Sequence, residues 1–151
     1  GCERFANACR EAGVDGLIVP DLPYEEQAEL SEPLAGMPID LIPLAAMTSR
    51  NRLPIILDNA GGFVYCVSTK GVTGERGQLN VGLSGFLAEI KEITDTPRAV
   101  GFGISTPEQA RFLKPHCEGI IIGSALVRRL LDEGLKAGTD FIHLMRKALD
   151  V

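Results

Sequence analysis

Short runs of apolar, largely β-branched residues alternate along the chain with stretches whose apolar residues recur at three- and four-residue intervals. That alternation predicts strands separated by amphipathic helices. Glu3 to Ala12 places Phe5, Ala8, Cys9 and Ala12 on one helical face, and Gly13 supplies a C-terminal stop. Val14 to Val19 reads as a buried strand. Pro23 with Glu25 and Glu26 opens a second helix, its carboxylates at the positive end of the dipole. Ile39 to Ala45 is the next strand, although Pro43 removes a ladder donor from it. Ser49 to Asn59 carries Leu53, Ile56 and Leu57 at helical spacing, with a bend implied at Pro54.

The alternation continues with a strand over Phe63 to Ser68, a helix over Leu83 to Ile93 and a strand over Ala99 to Phe102. Thr106-Pro107-Glu108-Gln109 is a capping box with proline at the first helical position. After a last strand, Gly119 to Ile122, come two helices, Ser124 to Leu131 and Thr139 to Leu149. The second is expected to bury Phe141, Ile142, Met145 and Leu149. Continuous apolar strands joined by crossover helices imply a parallel sheet covered on both faces. An open doubly wound sheet and part of an eight-stranded barrel both fit. A closed barrel takes roughly 250 residues, so the 151 residues here would form a single partial-barrel domain, 1–151, with about five strands.

Composition narrows the function classes. Fifteen Lys and Arg stand against 20 Asp and Glu, a net charge of −5, which argues against nucleic acid or anionic membrane as partner. No apolar run approaches the ~20 residues of a membrane span. Cys2, Cys9, Cys66 and Cys117 form no C-x-x-C pair, so no metal site is expected, and they read as reduced thiols of a cytoplasmic protein. A first residue Gly1 in place of Met suggests a fragment or a processed terminus. His116 reads as a loop residue and His143 as a helix-surface residue. Asp21, just before Pro23, reads as a helix cap or a residue facing a partner.

The candidate chemistry lies in three loops. Ser68-Thr69-Lys70-Gly71-Val72-Thr73-Gly74-Glu75-Arg76-Gly77 is glycine-rich enough to bring amides to an anion, or to move as a lid. Gly101-Phe102-Gly103-Ile104-Ser105 resembles the start of a dinucleotide fingerprint but lacks its third glycine. Gly123-Ser124-Ala125 opens a helix straight after the last strand. If the last two strands are a barrel's seventh and eighth, these loops stand where such barrels bind phosphate.

Taken in order, Val19-Pro20-Asp21-Leu22-Pro23, Gly62-Phe63-Val64-Tyr65, Gly71-Val72-Thr73-Gly74, the run from Gly101 to Gln109, and Gly123-Ser124-Ala125-Leu126-Val127 resemble the tryptophan synthase α chain. The resemblance covers nearly the whole chain from Glu3 onward. It implies an α/β fold of the TIM (β/α)8 barrel family, here a partial barrel holding strands four to eight. It also implies a lyase that cleaves indole-3-glycerol phosphate to indole and glyceraldehyde 3-phosphate in tryptophan biosynthesis. The partner it implies is the tryptophan synthase β chain in an αββα complex; pyridoxal phosphate belongs to that chain, and no cofactor is expected here.

By position, Gly74, Phe102, Gly103, Gly123 and Ser124 resemble the family's phosphate cradle. Tyr65 resembles its active-site tyrosine, Thr73 its lid threonine, and Ile18 and Leu44 its indole pocket. The family's acid/base glutamate and aspartate match nothing in this sequence and are expected in a segment preceding Gly1. The alternative is a non-catalytic, phosphate-binding module that binds and modulates the β chain.

Overall fold

The computed structural model describes residues 1–68, 78–101 and 103–150. In chain order the elements are α1 (Cys2–Glu11), β1 (Gly16–Leu17), a 3-10 turn (Tyr24–Glu26), α2 (Ala28–Leu34), β2 (Asp40–Leu41) and β3 (Leu44–Ala46). A second 3-10 segment (Met47–Arg52) then leads to α3 (Leu53–Ile56), β4 (Val64–Val67), α4 (Gln78–Ile93), β5 (Arg98–Gly101), α5 (Pro107–Leu113), β6 (Gly119–Ile120) and α6 (Ser124–Asp150). Every strand pairing is parallel, β1 with β2, and β3, β4, β5 and β6 in that order. Each strand thus lies beside its sequence neighbour. An open doubly wound sheet reverses order at a switch point, so the pairing selects the barrel.

Pro43 explains why the strand expected over Ile39 to Ala45 is two. Ile42 still donates its N–H to the Leu17 carbonyl at 2.9 Å, while the Pro43 carbonyl accepts from the Tyr65 N–H at 2.9 Å. One side of the strand serves β1 before the proline, and the other serves β4 from the proline onward. The missing donor falls at the start of the second ladder, where proline is tolerated. Other elements are shorter or later than expected. The second helix begins as a 3-10 turn and becomes α-helical only at Ala28. Ser49 to Asn59 divides at Leu53, the residue before Pro54. The two final helices run nearly together, broken at Gly134, whose φ of 86° requires glycine.

Helices cover one face of the sheet. Along β4, Val64 and Cys66 are buried against the helices while Tyr65 and Val67 are only half-buried. The main core joins Val64, Cys66 and Val100 to Phe86, Leu87 and Ile90 of α4, Leu113 of α5, and Phe141, Met145 and Ala148 of α6. A smaller cluster joins Ala6 and Cys9 to Leu30, Leu34 and Ile39. Among the described residues, coverage on both faces is therefore corrected to helical coverage on the outer one. Two helix faces are corrected too. α1 buries Ala6 and Cys9 and leaves Phe5 exposed, while Ala8 and Ala12 face outward; α6 buries Phe141, Met145 and Ala148 but exposes Ile142.

Arg98 is a buried charge that the sequence pattern did not flag. Its Nε and Nη2 donate to the Glu118 carboxylate at 3.0 and 2.6 Å, and its Nη1 to the Leu87 carbonyl at 2.7 Å. Glu118 also accepts the Arg98 backbone N–H at 2.8 Å. One bidentate pair thereby ties β5, the entry to β6 and α4 at the amino ends of the strands. Such a fork is among the stronger hydrogen-bonded arrangements.

Candidate functional site

A cavity of about 630 Å³ opens where β4, β5 and β6 deliver their carboxyl ends. Tyr65, Gly103, Gly123 and Ser124 all line it. The strands place these residues. Tyr65 projects from the half-buried side of β4, and its ring lies against Gly101 of the neighbouring strand, where a Cβ would overlap the phenol. Burial pushes the Tyr65 hydroxyl above its ordinary pKa, so it stays a neutral O–H group at physiological pH.

Ser68, buried at the end of β4, donates its Oγ–H to the Gly101 carbonyl at 2.9 Å, and its backbone N–H to the same oxygen at 3.1 Å. The exit of β4 is thus pinned to β5 at the edge of the cavity. After β5, Gly103 takes φ 72°, a conformation that favours glycine. The capping box then fixes the loop: Gln109 Oε1 accepts from the Ser105 and Thr106 N–H groups at 2.7 and 3.1 Å, and Thr106 Oγ1 accepts from the Gln109 N–H at 3.4 Å. Gly123 caps α6, its carbonyl accepting from the Leu126 and Val127 N–H groups at 3.0 and 3.1 Å. The amides of Ser124 and Ala125 precede any intrahelical bond. They stand at the positive end of the helix dipole, an arrangement suited to an anion.

Thr73, Gly74 and Phe102 lie outside the described residues. Leu44 stands directly across from Tyr65 in the β3–β4 register, yet it lines a separate cavity of about 190 Å³ with Val19, Leu22, Tyr24 and Ile56. Ile18 is 44% exposed and lines neither cavity. Asp21 is exposed and does not cap the 3-10 turn that follows, whose N-cap position is Pro23 with no side-chain cap. Sequence reasoning missed Arg128, Arg129, Asp132 and Glu133, which extend the cavity wall along α6. The signal was available, since Ser124, Arg128 and Asp132 recur at four-residue intervals on one helix face.

Among the described residues, no group of three or more His, Cys, Asp or Glu side chains could hold a metal, and no helix is long and apolar enough to cross a membrane.

Strands paired in sequence order, with glycine-bearing loops and a helix N-terminus converging at their carboxyl ends, define a (β/α) barrel protein with a cavity at the barrel's mouth. Comparison with known proteins specifies the family. The sequence model of the family described as Tryptophan synthase alpha chain matches residues 1–148. The tryptophan synthase alpha chain of Alkaliphilus metalliredigens is 48% identical over 130 residues, covering 86% of this chain and 49% of that one. The Clostridium beijerinckii alpha chain is 46% identical over 142 residues, 94% of this chain and 55% of the relative.

Among solved structures, tryptophan synthase subunit alpha from Campylobacter jejuni superimposes with a TM-score of 0.86 at 28% identity, covering 96% of this chain and 59% of that one. The tryptophan synthase a2b2 complex from Pyrococcus furiosus contains a chain matching with a TM-score of 0.82 at 33% identity, covering all of this chain and 62% of that one. This chain belongs to the tryptophan synthase alpha chain family, and its fold is a partial TIM barrel. It spans about half the length of the curated relatives it matches.

Proposed function

We propose that this chain is the phosphate-binding part of a tryptophan synthase α barrel that cleaves indole-3-glycerol phosphate to indole and glyceraldehyde 3-phosphate, alongside a β chain that holds pyridoxal phosphate. The observation that carries the reading is the single cavity joining Tyr65 to Gly103, Gly123 and Ser124. The α6 amides and the Gly103 loop receive the phosphate, with Gly74 and Phe102 completing the cradle. Backbone donors hold a dianion without requiring a basic surface, which suits a chain of net charge −5.

Tyr65, kept neutral, presents its hydroxyl toward the reacting end, and Thr73 serves the lid. Leu44, across from Tyr65 in the β3–β4 register, contributes to the indole side, whereas the exposed Ile18 is not assigned to it. Cleavage needs a proton delivered to the indole ring carbon that bears the side chain while the indole nitrogen gives one up. The glycerol hydroxyl proton is then removed as the carbon–carbon bond breaks, its electron pair passing through the ring so that the nitrogen takes a proton back. The carboxylates lining the cavity, Asp132 and Glu133, both come from α6. The strand glutamate and loop aspartate that the family uses come from chain outside these 151 residues. The protein needs no cofactor of its own and works in the cytoplasm.

Indole release from indole-3-glycerol phosphate tests this, measured with the 151 residues alone and with a chain carrying the rest of the family barrel. No turnover is expected from the former. From the latter, turnover is expected that Gly103→Val weakens, because a side chain there both strains φ and blocks the amides. Phosphate-ester binding without turnover in either form would leave a non-catalytic module that acts on the β chain. Turnover by the 151 residues alone would overturn the assignment of the acid/base groups.

A further inference from the structure

We propose that Arg128 is a specificity-determining residue of the cavity, closing a side-chain cation over the phosphate of a phosphomonoester dianion held at the start of α6. The inference rests on the phosphate reading of that cavity and adds a residue to it. Arg128 lines the same cavity as Gly103, Gly123 and Ser124. It follows Ser124 by four residues in α6, so the two share a helix face. Helical side chains lean toward the N-terminus. A residue one turn into the helix therefore covers the turn before it, and the guanidinium of Arg128 reaches the mouth formed by the first amides.

Charge singles this arginine out. Four charged side chains line the cavity: Arg128, Arg129, Asp132 and Glu133. Arg129 is committed elsewhere, its guanidinium 4.7 Å from the centroid of the Phe141 ring and 3.5 Å from the Glu133 carboxylate. Among the described residues Arg128 makes no ion pair. The cavity wall thus carries one uncommitted cation, together with a carboxylate, Asp132, one turn beyond it. A dianion arriving at the helix N-terminus would feel that carboxylate and Glu133. An Arg fork placed between them and the phosphate offsets the repulsion and adds geometry that backbone donors alone lack. It also favours a dianion over a monoanion of similar shape.

The test is calorimetric titration of the full chain with glycerol 3-phosphate and, separately, methyl sulfate, a monoanion of similar headgroup shape, at two salt concentrations. Arg128→Gln is expected to weaken glycerol 3-phosphate binding about fivefold, to flatten its salt dependence and to shrink the preference for the phosphate ester over the monoanionic methyl sulfate. Arg128→Lys should restore part of the salt dependence but less of the affinity, since an ammonium lacks the fork. Thermal melts of both variants check that the fold is kept. Wild-type affinity and salt dependence in Arg128→Gln, with binding still lost in Gly123→Val, would overturn the role of Arg128 and leave the phosphate site standing. Absence of glycerol 3-phosphate binding in the wild-type chain would overturn the phosphate reading itself.

Discussion

Tyr65 owes its place to a glycine on the next strand. The phenol lies over Gly101, and any Cβ there would occupy the volume of its hydroxyl. Gly101 ends β5 beside Val67 in register, so the backbone has no slack to move aside. Gly101→Ala is therefore expected to push Tyr65 out of the cavity wall and to lower affinity for an indole phosphate analogue about tenfold or more. Overpacking at such a site costs about 1–3 kcal/mol of stability. Calorimetric titration beside a thermal melt checks both, and Gly101→Ala combined with Tyr65→Ala should recover the stability without the binding. Intact affinity in Gly101→Ala would show that the tyrosine does not belong to the site.

At the scale of elements, the Arg98–Glu118 fork is the main polar connection between β5, β6 and α4. The Arg98 guanidinium holds the Glu118 carboxyl down at about 2, below the 4.5 from which it is shifted. A group depressed in the folded state contributes stability that is present above its unfolded pKa and lost as pH falls through the folded one. The window is thus pH 4.5 down to about 2. Because the Glu118 side chain is 48% exposed, screening limits the contribution to about 1 kcal/mol. Urea melts at pH 7 and pH 3 are expected to show Glu118→Gln destabilised at pH 7, with less further loss on acidification than the wild type. Parallel pH profiles for the two proteins would remove the fork from the account.

Elements were legible in the sequence where local chemistry decided them. The capping box at Thr106 to Gln109 and the stop at Gly13, with φ 72°, follow from a few adjacent residues. So did the glycine-bearing loops after β5 and before α6, because they needed only strand ends and an order. What was not legible depends on what lies across the sheet. Phe5 and Ile142 fit helical periodicity as well as Ala6 and Met145 do, and only the packed helices show which were buried. Arg98 carried no signal among its neighbours in sequence, because the carboxylate that holds it in the interior, Glu118, lies 20 positions later. Leu44 belongs by register with Tyr65 and by packing with a second cavity, a division that spacing along one strand does not contain.

The whole molecule presents an inner sheet face and two strand edges without cover among the described residues. β1 pairs only with β2, and β6 only with β5. In a closed barrel such edges are joined and the inward side chains fill the interior, whereas here Tyr65 and Val67 are half-buried. Apolar surface adds to this on α6, where Leu131 and Leu135 are 80% and 77% exposed. Unpaired parallel edges beside apolar surface favour pairing with another chain. Covering that surface is worth about 25 cal/mol per Å², appreciable against a domain stability of about 5–15 kcal/mol. The 151 residues by themselves are therefore expected to self-associate. Their molar mass by light scattering should rise with concentration, and it should fall to that of a one-to-one complex when a peptide carrying the remaining strands of the family barrel is added. Leu131→Lys with Leu135→Lys should reduce the self-association without abolishing it, since the two edges remain open. A cooperative monomer across the whole concentration range, unaffected by the peptide, would show that the open face and edges close on themselves.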